Sequence, residues 1–236
     1  MKEIAVTPEI VGLPYEEIYF NTSDDKRLNG WFIPSDKAKF TVILCHGNGG
    51  NISHRLEKIT MLRTLGLNTL VFDYRGYGKS DGAPSESGLY KDVDAAYNYL
   101  IKERKTAGDS IILYGESLGG AVAIDLAHRT KVRALIIEDT FTSVKDMARI
   151  TYPLIPYFVL SAKFNSISKI KNVTCPKLII HSINDEIIPF RLGEKLFDEA
   201  EEPKRFLKTR GGHNTAFSDS AKLFVEGIGT FLNELQ

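Results

Sequence analysis

Ile111-Ile112-Leu113-Tyr114-Gly115-Glu116-Ser117-Leu118-Gly119-Gly120-Ala121-Val122-Ala123-Ile124 decides how the rest of the chain is read. An apolar strand runs into Gly-x-Ser-x-Gly at 115–119, and a small-residue helix follows at once. A turn this short between strand and helix puts Ser117 at its apex in a strained backbone conformation. Gly115 and Gly119 are glycine because a Cβ there would collide across the crossing. The competing reading is an ordinary strand-to-helix turn whose Ser caps the helix. Residues elsewhere in the chain must choose between the two.

Outward from this stretch the alternation repeats. Segments 15–22 and 28–34 are short strand-like runs around the polar turn Ser23-Asp24-Asp25-Lys26, which predicts an antiparallel hairpin. The run 40–45 is almost wholly apolar, as in a strand buried on both faces, and ends in His46-Gly47-Asn48-Gly49-Gly50-Asn51 before a helix at 52–65. A strand at 68–73, the loop Tyr74-Arg75-Gly76-Tyr77-Gly78-Lys79-Ser80 and a helix at 86–104 lead to the strand before Ser117. Strands at 134–138, 177–182 and 205–209, a helix at 190–200 and a last helix at about 218–235 complete the series. The expected fold is α/β: a mostly parallel, doubly wound sheet of about eight strands, entered through the hairpin. The chain reads as a single domain, 1–236, interrupted by an insertion at about 141–176 that supplies a short crossover or a small cap. Pro153 and Pro156 exclude one long straight helix there.

Bulk properties narrow the function. The chain has 236 residues, 43% hydrophobic and 25% charged, with zero formal net charge. A dedicated nucleic-acid binder would show a basic excess, so none is expected as a partner. Two cysteines, Cys45 and Cys175, make no disulfide framework, which points to a reducing compartment. No apolar run reaches the ~18–20 residues of a spanning helix, and the N-terminus lacks a signal-peptide core. The expectation is a cytoplasmic protein without a transmembrane segment.

A serine nucleophile needs a base, normally a His oriented by a carboxylate. Of five histidines, His54 and His128 read as capping or surface residues, and His181, inside an apolar strand, as a satisfied core histidine. His213 follows Arg210-Gly211-Gly212 in the last strand-to-helix loop, which can aim it at the sheet's carboxyl edge. Asp139 and Asp185 both follow strands and both keep the order Ser, acid, His; Asp185 is favoured because its loop lies one strand before His213, and Glu186 ranks third. One backbone donor for an oxyanion is the Leu118 N–H at the start of a helix, and the second is expected from His46-Gly47-Asn48. That loop lacks the Gly-Lys-Ser/Thr ending of a phosphate loop. With no His-x-x-x-His or Cys-x-x-Cys pair, no metal is expected, and nothing asks for a cofactor. Asp73 and Arg75 read as charges that satisfy each other and nearby backbone. Tyr152, Leu154, Ile155 and Phe158 in the insertion are a candidate acyl pocket, or else packing against the sheet.

Cys45-His46-Gly47-Asn48-Gly49-Gly50-Asn51, Asp73-Tyr74-Arg75-Gly76-Tyr77-Gly78-Lys79-Ser80 and Gly115-Glu116-Ser117-Leu118-Gly119-Gly120-Ala121-Val122-Ala123 together resemble the bud-emergence-type serine hydrolases and their mammalian α/β-hydrolase-domain relatives. The resemblance covers nearly the whole chain. It implies the α/β-hydrolase fold, a catalytic Ser117–Asp185–His213 triad, oxyanion donors at Asn48 and Leu118, and cleavage of esters or thioesters with water as co-substrate. Many such relatives begin with a membrane anchor, and the apolar runs of this sequence lead to the expectation of none here. The expected partner is therefore a small-molecule acyl substrate; a peptidase of the aminopeptidase or prolyl-oligopeptidase type and a non-catalytic binding protein are the alternatives. Oligomeric state is not encoded in any of these features.

Overall fold

The computed structural model describes residues 2–36, 38–151 and 162–235. Its strands are β1 (Glu16–Asn21), β2 (Arg27–Ile33), β3 (Thr41–Cys45), β4 (Asn68–Phe72), β5 (Ile111–Glu116), β6 (Ala134–Glu138), β7 (Lys177–Ser182) and β8 (Lys204–Thr209). They form one eight-stranded sheet in the order β1-β2-β4-β3-β5-β6-β7-β8. β1 and β2 are the expected hairpin, β2 joins β4 antiparallel, and every later pairing is parallel. This is the mostly parallel α/β-hydrolase architecture.

Alternation along the strands divides the core in two. Val42, Leu44, Ile112, Tyr114 and Ile136 face a layer holding α1 (Leu56–Thr64) and α8 (Ala221–Glu234). Ile43, Leu113 and Ile137 face α2 (Glu86–Lys102), α3 (Leu118–Arg129) and α6 (Phe190–Glu199). Covered on both sides, β3 is buried at all five positions. Burying one aliphatic side chain is worth about 1.5–3 kcal/mol, so the central strands form a rigid platform for the loops at their carboxyl ends.

The chain runs from β3 outward to β4 and then returns to the other side of β3 as β5. Connections leaving β3 and β5 therefore travel to opposite faces, and a crevice opens between their carboxyl ends. Residues 46–51 and Ser117 sit at this switch point. His54 caps as expected: its Nδ1 accepts the Asn51 N–H at 3.2 Å while the Asn51 side chain accepts the Ser53 N–H at 2.9 Å.

Between β6 and β7 lie α4 (Val144–Thr151) and α5 (Ser166–Ile170). Tyr152, Leu154, Ile155 and Phe158 fall outside the described residues. The single helix expected at 218–235 is instead α7 (Ala216–Asp219) and α8, broken at Ser220. The Ser220 hydroxyl accepts the Arg210 N–H (3.0 Å) and donates to the Arg210 carbonyl (2.9 Å), which fastens the His213 loop to the start of α8. Among the described residues, no helix is long and apolar enough to cross a membrane.

Candidate active site

Ser117 occupies φ 54°, ψ −116°, and its side chain makes no capping hydrogen bond to α3. The helix-cap reading of the Gly-x-Ser-x-Gly turn is thereby excluded. A residue held there stores roughly 1–3 kcal/mol of strain, so its surroundings must over-determine it. The end of β6 does this: the Ser117 N–H donates to the Glu138 carbonyl at 2.8 Å, and the Thr140 hydroxyl donates to the Ser117 carbonyl at 3.2 Å. A Cβ on Gly115 would strike the Gly119 carbonyl, one on Gly119 the Cys45 carbonyl, and one on Gly120 the Thr140 side chain. The sequence predicts a clash across the strand–helix crossing at both Gly115 and Gly119; Gly115 meets it there, whereas Gly119 meets the end of the neighbouring strand β3. Thr140 was missed, and its only signal is its place two residues after a buried strand.

The structure brings Ser117, His213 and Asp185 into one hydrogen-bonded row. The Ser117 Oγ lies 3.1 Å from the His213 Nε2, and the His213 Nδ1 lies 2.7 Å from the Asp185 Oδ2. Asp185 is buried, and its other oxygen accepts the N–H groups of Ile187 (2.9 Å) and Ile188 (2.7 Å). Both oxygens thus accept, which leaves Nδ1 of the neutral imidazole to carry the proton and Nε2 free to receive one. Burial, the largest influence on His213, favours its neutral form, but the hydrogen bond and charge of Asp185 outweigh it and its pKa is raised.

The end of β7 carries the rest of this geometry. Ser182 donates to the Gly211 carbonyl, and the Glu186 Oε2 accepts the His213 N–H at 2.9 Å. Glu186, the third-ranked acid, grips the backbone of the histidine rather than its ring. Asp139 lies nearby: one of its oxygens, one of Asp185 and a ring nitrogen of His213 are all within 4.8 Å of one another.

Two expectations need correction. Asp73 and Arg75 do not satisfy each other. Arg75 turns away to Asp92 (2.9 Å) and Asp24 (3.0 Å), tying the loop to α2 and to the hairpin turn. Asp73 accepts the Ile52 N–H at 3.0 Å, stands 3.5 Å from the His46 Nε2 and keeps a buried oxygen without a hydrogen-bond partner. Burial pushes the Asp73 carboxyl up to about 7 and the His46 imidazole down to about 4. His181 is in the core but only half satisfied. Its Nε2 donates to the Ile188 carbonyl at 2.8 Å, steadying the turn that carries Asp185, while its buried Nδ1 has no partner.

Beneath the elbow the Lys58 ammonium lies between Glu138 and Glu116, at 3.2 Å from the latter, and the Tyr114 hydroxyl donates to Glu138 at 2.6 Å. Burial alone would raise the Glu116 carboxyl, but Lys58 and Arg55 draw it down to about 2. Arg55 also donates to the Gly49 carbonyl, so these charges join the loop after β3 to the residue preceding Ser117.

Above Ser117 a cavity of ≈ 830 Å³ opens, walled by Tyr77, Leu89, Tyr90, Phe141, Met147 and Phe164. Asn48 and Leu118 border it beside Ser117, and Ile187 and Ile188 form its other rim. Leu118 is the first residue of α3, so its N–H has no intrahelical acceptor. The Tyr77 hydroxyl donates to the Asn48 side chain at 2.6 Å. The loop at 74–80, taken from sequence as structural, therefore contributes to the cavity. Glu86 lies in the wall with its carboxylate engaged by the N–H groups of Lys163 (2.6 Å) and Phe164 (3.0 Å) and by the Tyr90 hydroxyl (2.9 Å).

The family model described as serine aminopeptidase, S33 matches residues 36–167. An uncharacterized protein of Mycobacterium tuberculosis (strain CDC 1551 / Oshkosh) is 38% identical over 222 residues, spanning 92% of this chain and 79% of that protein. Protein bem46 of Schizosaccharomyces pombe is 36% identical over 200 residues, spanning 80% of this chain and 66% of its own length. Among solved structures, the Pyrococcus furiosus esterase Pf2001 superposes with a TM-score of 0.83 at 21% identity, covering 99% of this chain and 98% of that one. At that identity the likeness is one of fold.

Proposed function

The chain belongs to the α/β-hydrolases, in the family described as serine aminopeptidase, S33, and we propose that it is a serine hydrolase cleaving carboxylic ester or thioester bonds of small to medium apolar acyl substrates. The observation that carries this reading is the row Asp185–His213–Ser117, joined at 2.7 Å and 3.1 Å and ending on a strained serine at the floor of an apolar cavity.

In this mechanism the Ser117 Oγ attacks the substrate carbonyl carbon while His213 Nε2 takes its proton. Asp185 holds the imidazole in the required tautomer and steadies the imidazolium. The tetrahedral oxyanion receives hydrogen bonds from the backbone N–H groups of Asn48 and Leu118, the second aided by the dipole of α3. Collapse expels the alcohol or thiol, which takes the proton from His213. Water, deprotonated by the same imidazole, then releases the acid from the acyl-enzyme. Within the insertion, the described residues Phe141, Met147 and Phe164 line the cavity, which supports reading it as a cap over Ser117.

An aminopeptidase reading is favoured by the description of the matching family. It requires a carboxylate free to bind the substrate's α-ammonium group. Glu86, the acidic side chain that lines the cavity among the described residues, already accepts from two backbone N–H groups and a tyrosine hydroxyl. A neutral acyl group suits such a wall better. The test is turnover of p-nitrophenyl acetate, butyrate and octanoate, matched thioesters and aminoacyl p-nitroanilides. The expected result is ester or thioester cleavage abolished in Ser117→Ala; faster cleavage of the anilides transfers the assignment to the peptidase.

A further inference from the structure

Asp139 is a carboxyl that the proposed mechanism leaves unused. It follows β6 directly, is 2% exposed, and sits in the left-handed region at φ 44°, which Asp tolerates better than most side chains. β7 fixes it from the side: its N–H donates to the Ile180 carbonyl at 3.0 Å, and its Oδ1 accepts the Ser182 N–H at 2.7 Å. Its Oδ2 is buried and has no hydrogen-bond partner among the described residues. A buried polar atom without a partner is rare enough in folded proteins to call for an explanation.

The neighbours supply one. Facing Asp139 are Glu138 at the end of β6, Tyr114 on β5, His181 on β7 with Nε2 3.9 Å away, Asp185 after β7, and His213. Burial first, then the charges of Glu138 and Asp185, push the Asp139 carboxyl up to about 8. At neutral pH it therefore rests as the uncharged acid and does not compete with Asp185 for the imidazole. Loss of the Asp185 carboxylate would remove a repelling charge and leave the His213 Nδ1–H without an acceptor. Both changes favour ionisation of Asp139 and rotation of its unpartnered oxygen across the short gap to the ring.

The geometry points to Asp139 as a second orienting acid for His213, a positioning residue that accepts the Nδ1–H when Asp185 is unavailable. Only the kinetic part of its test rests on the serine-hydrolase reading. The full chain is compared as wild type, Asp139→Asn, Asp185→Ala and the double variant. Asp139→Asn retains an oxygen for the Ser182 N–H. Asp185→Asn, alone and with Asp139→Asn, serves as the second series, because it keeps an acceptor for Ile187 and Ile188 should the alanine variant unfold.

In proton NMR, the far-downfield His213 Nδ1–H resonance expected of a carboxylate partner persists in Asp185→Ala and disappears in the double variant. In ester hydrolysis, Asp139→Asn lowers kcat/KM at least about tenfold more when Asp185 is absent than when it is present, a non-additivity expected only of residues that share a partner. Loss of the resonance in Asp185→Ala alone overturns the inference, as do equal kinetic effects of Asp139→Asn in the two backgrounds, the outcome of a merely structural role. A wild-type protein that cleaves no ester sinks the hydrolase reading, and the resonance then decides the inference by itself.

Discussion

His213 stands between opposed influences. Burial favours its neutral form, the bond and charge of Asp185 favour the imidazolium, and the balance lies above the ordinary value of 6.5. A general base must be neutral, so kcat/KM for a p-nitrophenyl ester is expected to fall as pH drops through that raised value, placing the acid limb above 6.5. Asp185→Asn combined with Asp139→Asn removes both neighbouring carboxylates and should move the limb to lower pH; a limb that does not move in the double variant contradicts the pairing. Ser117, Asp185 and His213 were legible because their residue types fall at strand ends in the right order. Sequence could favour Asp185 over Asp139 but not separate their roles. That distinction lies in a turn that folds the Ile187 and Ile188 N–H groups back onto Asp185. Arg75 was misread for a similar reason: its partners Asp24 and Asp92 are distant in sequence.

The decisive element is the β5–α3 crossing. Gly119 lies so close to the end of β3 that a Cβ would overlap the Cys45 and His46 carbonyls, and backbone cannot rotate aside. Gly119→Ala is expected to destabilise the protein at or beyond the upper end of the ~1–3 kcal/mol usual for overpacking, measured by urea unfolding. A change under about 0.5 kcal/mol would mean that α3 approaches the end of β3 less closely than described. This element was almost fully readable, since the glycine spacing, the apolar strand and the small-residue helix are all local signals. The break between α7 and α8 was not. It depends on a bond between Ser220 and Arg210 across a loop, which helical periodicity does not register.

Across the whole molecule, several ionisable groups are folded into low-dielectric surroundings. Asp73 and Asp139 are raised by burial to about 7 and about 8 from an ordinary 3.8. The folded state thus retains protons that the unfolded chain releases. Their contribution to stability is complete below the unfolded value and is lost as pH rises through the folded ones. The Tm should therefore decline between pH 6 and pH 9, and Asp73→Asn and Asp139→Asn should each reduce that decline. A difference between variant and wild type that is the same at both pH values would contradict the assignment. At this scale the sequence yielded the strands and their alternation with helices but not their order. The reversal at β4-β3-β5, which opens the crevice above Ser117, depends on long-range pairing. The cavity wall was equally hidden, because Tyr77, Tyr90 and Phe164 come from three separate segments.

The central claim is that Ser117 is a nucleophile activated by His213. It is tested most directly by treating the protein with a fluorophosphonate and locating the adduct by peptide mass spectrometry. The prediction is one adduct per chain, on Ser117, forming much more slowly in His213→Ala and absent from Ser117→Ala. A wild-type protein that stays unlabelled, or an adduct that persists in Ser117→Ala, would contradict it.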